Sequence, residues 1–197
     1  MRKFIAVMLF YGVFCTLNAE EIKLPAPRKS GGMSVREALN SRRTIRNFQD
    51  KELSLQLLAD MLWSANGVNR PNGKRTAPSA MDRREVMIYA ALKDGTYLYN
   101  AEKHLLEKVS SADLRSACGR FNAPCYFILV PDRSRQSREL FAAVDTGYVS
   151  QNIYLAAQAN GLGTCAAGSI SDAEKLISEL KLGKNRPFLV HPVGFVK

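Results

Sequence analysis

Apolar residues along this chain recur first at helical and then at strand spacing. Leu55, Leu58, Met61, Leu62 and Ala65 fall three or four apart, which puts them on one face of an amphipathic helix. Ser54 can cap its start, and Asn66-Gly67 marks its end. A shorter helix is predicted from Ser34 to about Ser41, because Ser34-Val35-Arg36-Glu37 has the spacing of a capping box. Residues 85–92 read as a strand, Lys93-Asp94-Gly95 as a turn, and residues 96–99 as the returning strand of a hairpin. Short helical stretches are expected around Leu105 and Leu114. Residues 125–130 form an unbroken apolar run between Pro124 and Pro131, the pattern of a strand buried on both faces. The longest helix is predicted from Asp145 to about Asn160, with Gly161 as its stop. Its apolar positions Val149, Ile153, Tyr154, Ala156 and Ala157 cover most of the circumference. Such a helix must lie deep in the protein or in a subunit interface. A short strand at 163–167, a helix from the capping box Ser171-Asp172-Ala173-Glu174 to about Leu182, and a strand at 188–195 complete the chain. Strands and helices mix without strict alternation, so the expected fold class is α+β.

The N-terminus changes this picture. Arg2 and Lys3 precede an apolar run from residue 4 to 17, and Leu17-Asn18-Ala19 follows with a small residue last. That is the layout of a secretory signal peptide, cleaved near Ala19. The run is shorter than the ~20 residues of a spanning helix, so no stable membrane insertion of the mature chain is expected. Residues 1–19 are thus read as a signal peptide, 20–33 as an extended linker with Pro25, Pro27, Gly31 and Gly32, and 34–197 as one domain. The expected location is periplasmic. Cleavage leaves Cys118, Cys125 and Cys165, an odd number that excludes a full disulfide framework. No cysteine or histidine spacing suggests zinc, and the three thiols read as small core residues.

With 197 residues, 46% of them hydrophobic, the chain is globular rather than disordered. Its formal net charge of +10 is the unusual quantity. Residues 28–84 carry twelve Lys and Arg against five Asp and Glu, and therefore most of the excess. A nucleic-acid surface would interleave aromatics with those charges. Only Phe48 and Trp63 occur there, so a nucleic-acid partner is not expected. Hydrolysis fares no better, because there is no GxSxG and His104 and His191 sit in unrelated contexts.

Three stretches could carry chemistry. Arg42-Arg43-Thr44-Ile45-Arg46 sets three guanidiniums within five residues, donors whose fork matches phosphate oxygens, although charge runs are commonly solvated faces. In the loop at 75–82, Pro78 fixes a turn, Ser79 and Ala80 are small enough for a ligand to reach the backbone, and Asp82 supplies an acceptor. The segment 161–168, Gly-Leu-Gly-Thr-Cys-Ala-Ala-Gly, is glycine-rich without the spacing of a dinucleotide fingerprint or a P-loop. Its small residues suit a flat ring, or equally a close strand crossing.

Taken in order, RRTIR, PSAMD, DTGYVSQN, GLGTCAAG and HPVG resemble the nitroreductase family of FMN-dependent oxidoreductases across residues 34–197. The resemblance implies a mostly antiparallel central sheet flanked by helices, in an intertwined homodimer with FMN at its interface. It also implies that NAD(P)H reduces the flavin, which then reduces a nitroaromatic, quinone or similar acceptor by a ping-pong route. Alternatives on this scaffold are a flavin-dependent dehydrogenase or dehalogenase with another donor, or a non-catalytic FMN-binding protein. By position, Arg42, Arg43, Thr44 and Arg46 would hold the phosphate and ribityl chain. Pro78, Ser79, Ala80 and Asp82 would pass beside the flavin, and Ala167 and Gly168 would lie near its reactive edge. Gln151 and Asn152 match positions of the central helix. No catalytic residue and no metal site is implied. Asp82 stands where the family has Asn, so a donor is replaced by an acceptor. The chain also lacks the longer basic tail of many relatives, for which Arg186 or Lys197 could substitute. Export sits uneasily with a nicotinamide donor, which is not expected outside the cytoplasm.

Overall fold

The computed structural model describes residues 20–197; the expected signal peptide lies outside them. A seven-stranded sheet runs β1 (Glu21–Lys23), β4 (Leu105–Ser110), β3 (Gly95–Asn100), β2 (Val86–Leu92), β5 (Cys125–Pro131), β7 (Leu189–Phe195) and β6 (Leu162–Thr164), neighbour to neighbour. Every pairing is antiparallel. Five helices pack around it: α1 (Val35–Ser41), α2 (Leu55–Asn66), α3 (Arg115–Cys118), α4 (Glu139–Ala159) and α5 (Ala173–Glu179). The α+β class and the antiparallel sheet expected from sequence are both present.

Strand β5 explains why the sheet has two cores. Its side chains alternate, so Cys125, Phe127 and Leu129 join the core under α2 and α4. Tyr126, Ile128 and Val130 join the opposite core with Leu114 and Cys118 near α3 and Leu176 of α5. Period-two geometry therefore requires the continuous apolar run seen in the sequence.

Several elements differ from the sequence reading. Residues around Leu105, expected to be helical, form β4 instead. Pairing on both sides, with β3 and β1, and burial of Leu106 override a helix-compatible local composition. Helix α4 starts at Glu139 rather than Asp145, so the expected first residue is an interior, buried carboxylate. In α5 the cap is Asp172, whose side chain accepts from the Lys175 N–H at 2.9 Å, and not Ser171. Residues 20–29 run extended and the chain bends at Gly31 and Gly32, and the segment is docked rather than free. Glu21–Lys23 extends the sheet. Arg28 donates its backbone N–H to Asp60 Oδ1 at 2.8 Å and its Nε–H to Oδ2 at 2.7 Å.

Asp60 is buried while the Arg28 side chain is 60% exposed, so the aspartate is the partner left stranded if the pair is broken. Asp60→Ala, which removes both acceptors, should cost about 1.5–3 kcal/mol, the range for charge-assisted hydrogen bonds. Denaturant unfolding measures the loss, and faster proteolysis within residues 24–33 locates it.

Candidate functional site

The arginine segment leaves α1 as extended chain and runs beside the sheet's β6 edge. Ile45 N–H donates to the Thr164 carbonyl at 2.9 Å. This approach depends on Gly163, because a Cβ there would stand 2.7 Å from Cγ2 of Ile45. On the other side lies Tyr154 of α4. Its hydroxyl accepts the Ala166 N–H at 2.8 Å and lies 3.3 Å from Thr44 Oγ1, while the Arg42 guanidinium sits 5.2 Å above its ring. Tyr154 thus ties the RRTIR segment to the start of the Ala166–Gly168 stretch.

Behind Tyr154, His191 is fully buried on β7. Its Nε2 lies 2.9 Å from Ser150 Oγ and its Nδ1 3.1 Å from Thr164 Oγ1. The imidazole meets the Tyr154 ring edge-on, with centroids 5.6 Å apart. Burial drives its pKa down to about 3, so the ring is neutral at physiological pH. His104 is held elsewhere, its ring bridging Tyr99 Oη and the Pro25 carbonyl.

Arg42, Arg43 and Arg46 have no acidic partner in any ion pair among the described residues. Ala167 is held to Val190 by a β-bridge, while Gly168 faces open space where a Cβ would project. Lys197 lies alongside, its N–H donating to the Asn47 carbonyl at 3.3 Å. Arg186 instead faces Glu174 of α5 at 3.7 Å. Gln151 is exposed on α4, and Asn152 donates to the Ala65 carbonyl at 3.3 Å.

The second expected segment is elsewhere. Pro78, Ser79 and Ala80 lead into a short 3-10 turn, Ala80–Asp82. The Ala80 N–H donates to Asp145 Oδ2 at 2.7 Å, and Ser79 Oγ–H to Glu85 Oε2 at 3.1 Å. Both Asp82 oxygens accept from Arg84, at 2.9 and 2.6 Å. That guanidinium holds the Asp82 carboxyl below the usual carboxylate range, so Asp82 is an ionised acceptor. Asp145 and Tyr154 are nine residues apart on α4, about 14 Å along its axis and about half a turn round it. One chain therefore presents RRTIR with Ala167–Gly168 on one side of α4 and the Pro78–Asp82 loop on the other.

Sequence reasoning missed Tyr154 and Glu85. Tyr154 was legible only as an apolar helix position, and the signal, a tyrosine in an otherwise aliphatic stripe, is weak. Glu85 was taken simply as the first strand residue. Burial of all three thiols agrees with their reading as core residues, and Cys118 is pushed up to about 12 by burial.

The family model for nitroreductases matches residues 39–195. The chain belongs to the nitroreductase family. It is 30% identical over 194 residues to a Methanocaldococcus jannaschii protein provisionally named a nitroreductase, covering 88% of this chain and 96% of that one. A Methanothermobacter thermautotrophicus protein provisionally named an NADH dehydrogenase/NAD(P)H nitroreductase is 29% identical, covering 85% and 80%. The crystal structure of a Ralstonia eutropha protein described as a nitroreductase superposes with a TM-score of 0.84 at 33% identity, covering 90% of each chain. Membership places this nitroreductase-family chain among oxidoreductases. No helix of the described residues is long and apolar enough to cross a membrane.

Two outcomes follow for this site. Gly163→Ala should destabilise the protein by about 1–3 kcal/mol, the usual cost of overpacking, with Gly147→Ala, whose Cβ would meet nothing within 4 Å, as a control outside the Ile45 contact. Thermal unfolding reads both. Because the folded pKa of His191 lies below its ordinary 6.5, its contribution is present above pH 6.5 and lost as pH falls towards 3. His191→Asn should therefore lose less stability than wild type over that acid window, measured as Tm against pH.

Proposed function

We propose that this nitroreductase-family chain is an FMN-dependent oxidoreductase. The carrying observation is the set of three arginines without acidic partners, set beside the open backbone at Gly168. Three unpaired guanidiniums within five residues repel one another, and a phosphate would bridge them with forked hydrogen bonds. Bound FMN would supply two-electron transfer, from NAD(P)H to a nitroaromatic, quinone or similar acceptor, in alternating half-reactions. The chain's own part is to bind and orient. Arg42, Arg43 and Arg46 hold the phosphate, with Thr44 beside it. Tyr154 fixes the Ala166 N–H and the Thr44 hydroxyl relative to one another. Ala167 and Gly168 leave room for a flat ring, and no side chain is required to carry a proton. Lys197 adds a further cation beside the arginine segment, a role the Glu174-facing position of Arg186 does not favour.

A homodimer completes this reading. Since the Pro78–Asp82 loop lies on the far side of α4, Pro78, Ser79 and Ala80 reach a flavin only if a second copy brings them. Leu140, Val144 and Tyr148, spaced four apart on α4, are 72%, 42% and 45% exposed, and Val35 and Leu39 form a similar exposed pair on α1. Such apolar surface suits an intimate subunit contact. Asp82, already engaged by Arg84, would act there as an acceptor only. Export after cleavage near Ala19 remains part of the proposal, and cell fractionation with N-terminal sequencing tests it.

Purified protein should take up FMN, absorb visible blue light and bleach on addition of NADH or NADPH. Arg43→Ala and Arg46→Ala should each weaken FMN binding about tenfold or more, since a charge-assisted bond contributes about 1.5–3 kcal/mol. A protein that takes up no added FMN overturns the reading. Leu140→Glu should shift the sedimentation mass from dimer to monomer and lower flavin retention together.

A further inference from the structure

Beneath the Pro78–Asp82 loop lie two carboxyl groups with no cation to balance them. Glu85 is fully buried and Asp145 is 1% exposed. Neither takes part in an ion pair among the described residues. Each uses one oxygen on the loop: Glu85 Oε2 accepts from Ser79 and Asp145 Oδ2 from the Ala80 N–H. Each also has one buried oxygen, Glu85 Oε1 and Asp145 Oδ1, without a partner. They hold adjacent residues of one loop, Ser79 and Ala80, so the two carboxyl groups lie side by side beneath it. Two ionised carboxylates in that position would be repelled in a medium that screens poorly, and would leave two acceptors unsatisfied. One proton placed between them removes both penalties.

We propose that Glu85 and Asp145 share a single proton at neutral pH, and that this acid–carboxylate bridge is the clamp positioning the Pro78–Asp82 loop on α4. The loop needs a clamp. Met81, Asp82 and Arg84 have φ of 57°, 54° and 51°, a left-handed run that ordinary side chains avoid. Its hydrogen bonds lead back to the pair, for the Arg84 N–H donates to Ser79 Oγ at 2.7 Å and Ser79 in turn to Glu85. Asp145 is the group facing Glu85 from α4, and Ser79 faces it from the loop. A cavity of about 280 Å³ beside Glu85 is bordered by the charged residues Arg75, Arg84, Glu102, Glu107, Asp132 and Arg135. Their charges are balanced in sign, and none is paired with either member of the couple. Burial, and after it the neighbouring Asp145, raises Glu85 above the ordinary carboxylate range.

The proton can be read on the protein itself. The role of the clamp in turnover rests on the flavin reading above, but the shared proton does not. Infrared spectra of the purified protein at pH 7 should show a protonated carboxyl stretch that is lost in both Glu85→Gln and Asp145→Asn, because one proton serves the pair. The amide in either variant still donates across the gap, so both should keep the loop closed. Glu85→Ala should instead raise the rate of tryptic cutting at Arg83 and Arg84 about tenfold or more, the loss of roughly one charge-assisted bond. The raised pKa also sets a sign: wild type should lose stability as pH rises above 4.5 through the Glu85 titration, and Glu85→Gln should not. No protonated carboxyl stretch in wild type, or one that survives in both amide variants, overturns the proposal. If Glu85→Gln fails to fold, the wild-type spectrum and Asp145→Asn still decide it. Flavin uptake without the stretch defeats only the clamp, and the stretch without flavin uptake defeats only the flavin reading.

Discussion

Helix α4 is gripped from two sides by hydrogen bonds that the rest of the candidate site depends on. Asp145 accepts the Ala80 N–H on one side, and Tyr154 accepts the Ala166 N–H on the other. Between these contacts the helix buries Val149 and Ile153 against the sheet, and just beyond them Ala156 and Ala157, so neither grip can shift without disturbing the core. The separation of about half a turn is a rigid property of the helix. It keeps the Pro78–Asp82 loop apart from the RRTIR and Ala166–Gly168 segments within one chain.

Behind that helix the protein concentrates buried polar groups in two small clusters with opposite protonation logic. Around His191, two hydroxyls and an aromatic edge take up a neutral imidazole that burial keeps from charging. Around Glu85, burial and the neighbouring Asp145 raise the carboxyl above its ordinary range. Both clusters brace segments that border the candidate ligand surface, one behind the Ala166–Gly168 stretch and the other beneath the Pro78–Asp82 loop. Low dielectric makes such groups costly when unpaired and stiffening when satisfied.

Much of the architecture was legible because it follows from local periodicity and capping. The Ser34 capping box, the spacing from Leu55 to Ala65, and the apolar run in β5 each dictate their element with little help from elsewhere. The arginine cluster was legible as an anion site only in its ordered company with the other motifs, since three arginines alone are equally a solvated face. Residues around Leu105 were misread because a strand between two partners is stabilised by neighbours far along the chain. Asp145 was misread for a related reason: an aspartate ahead of an apolar periodic run looks like the start of the helix until the loop it anchors is in place. Tyr154 and Glu85 carried no periodic or motif signal of their own.

The sequence by itself determined the element types wherever side-chain period and capping agree, the basic bias of residues 28–84, and the ordered motifs of the family. Those are properties of neighbours along the chain. The tertiary structure alone decided which side of α4 each motif occupies, that Tyr154 bridges the arginine segment to Ala166, and that two acids 60 residues apart in sequence meet under one loop. Such outcomes depend on long-range packing and on the burial of charge, for which no stretch of sequence holds a local sign.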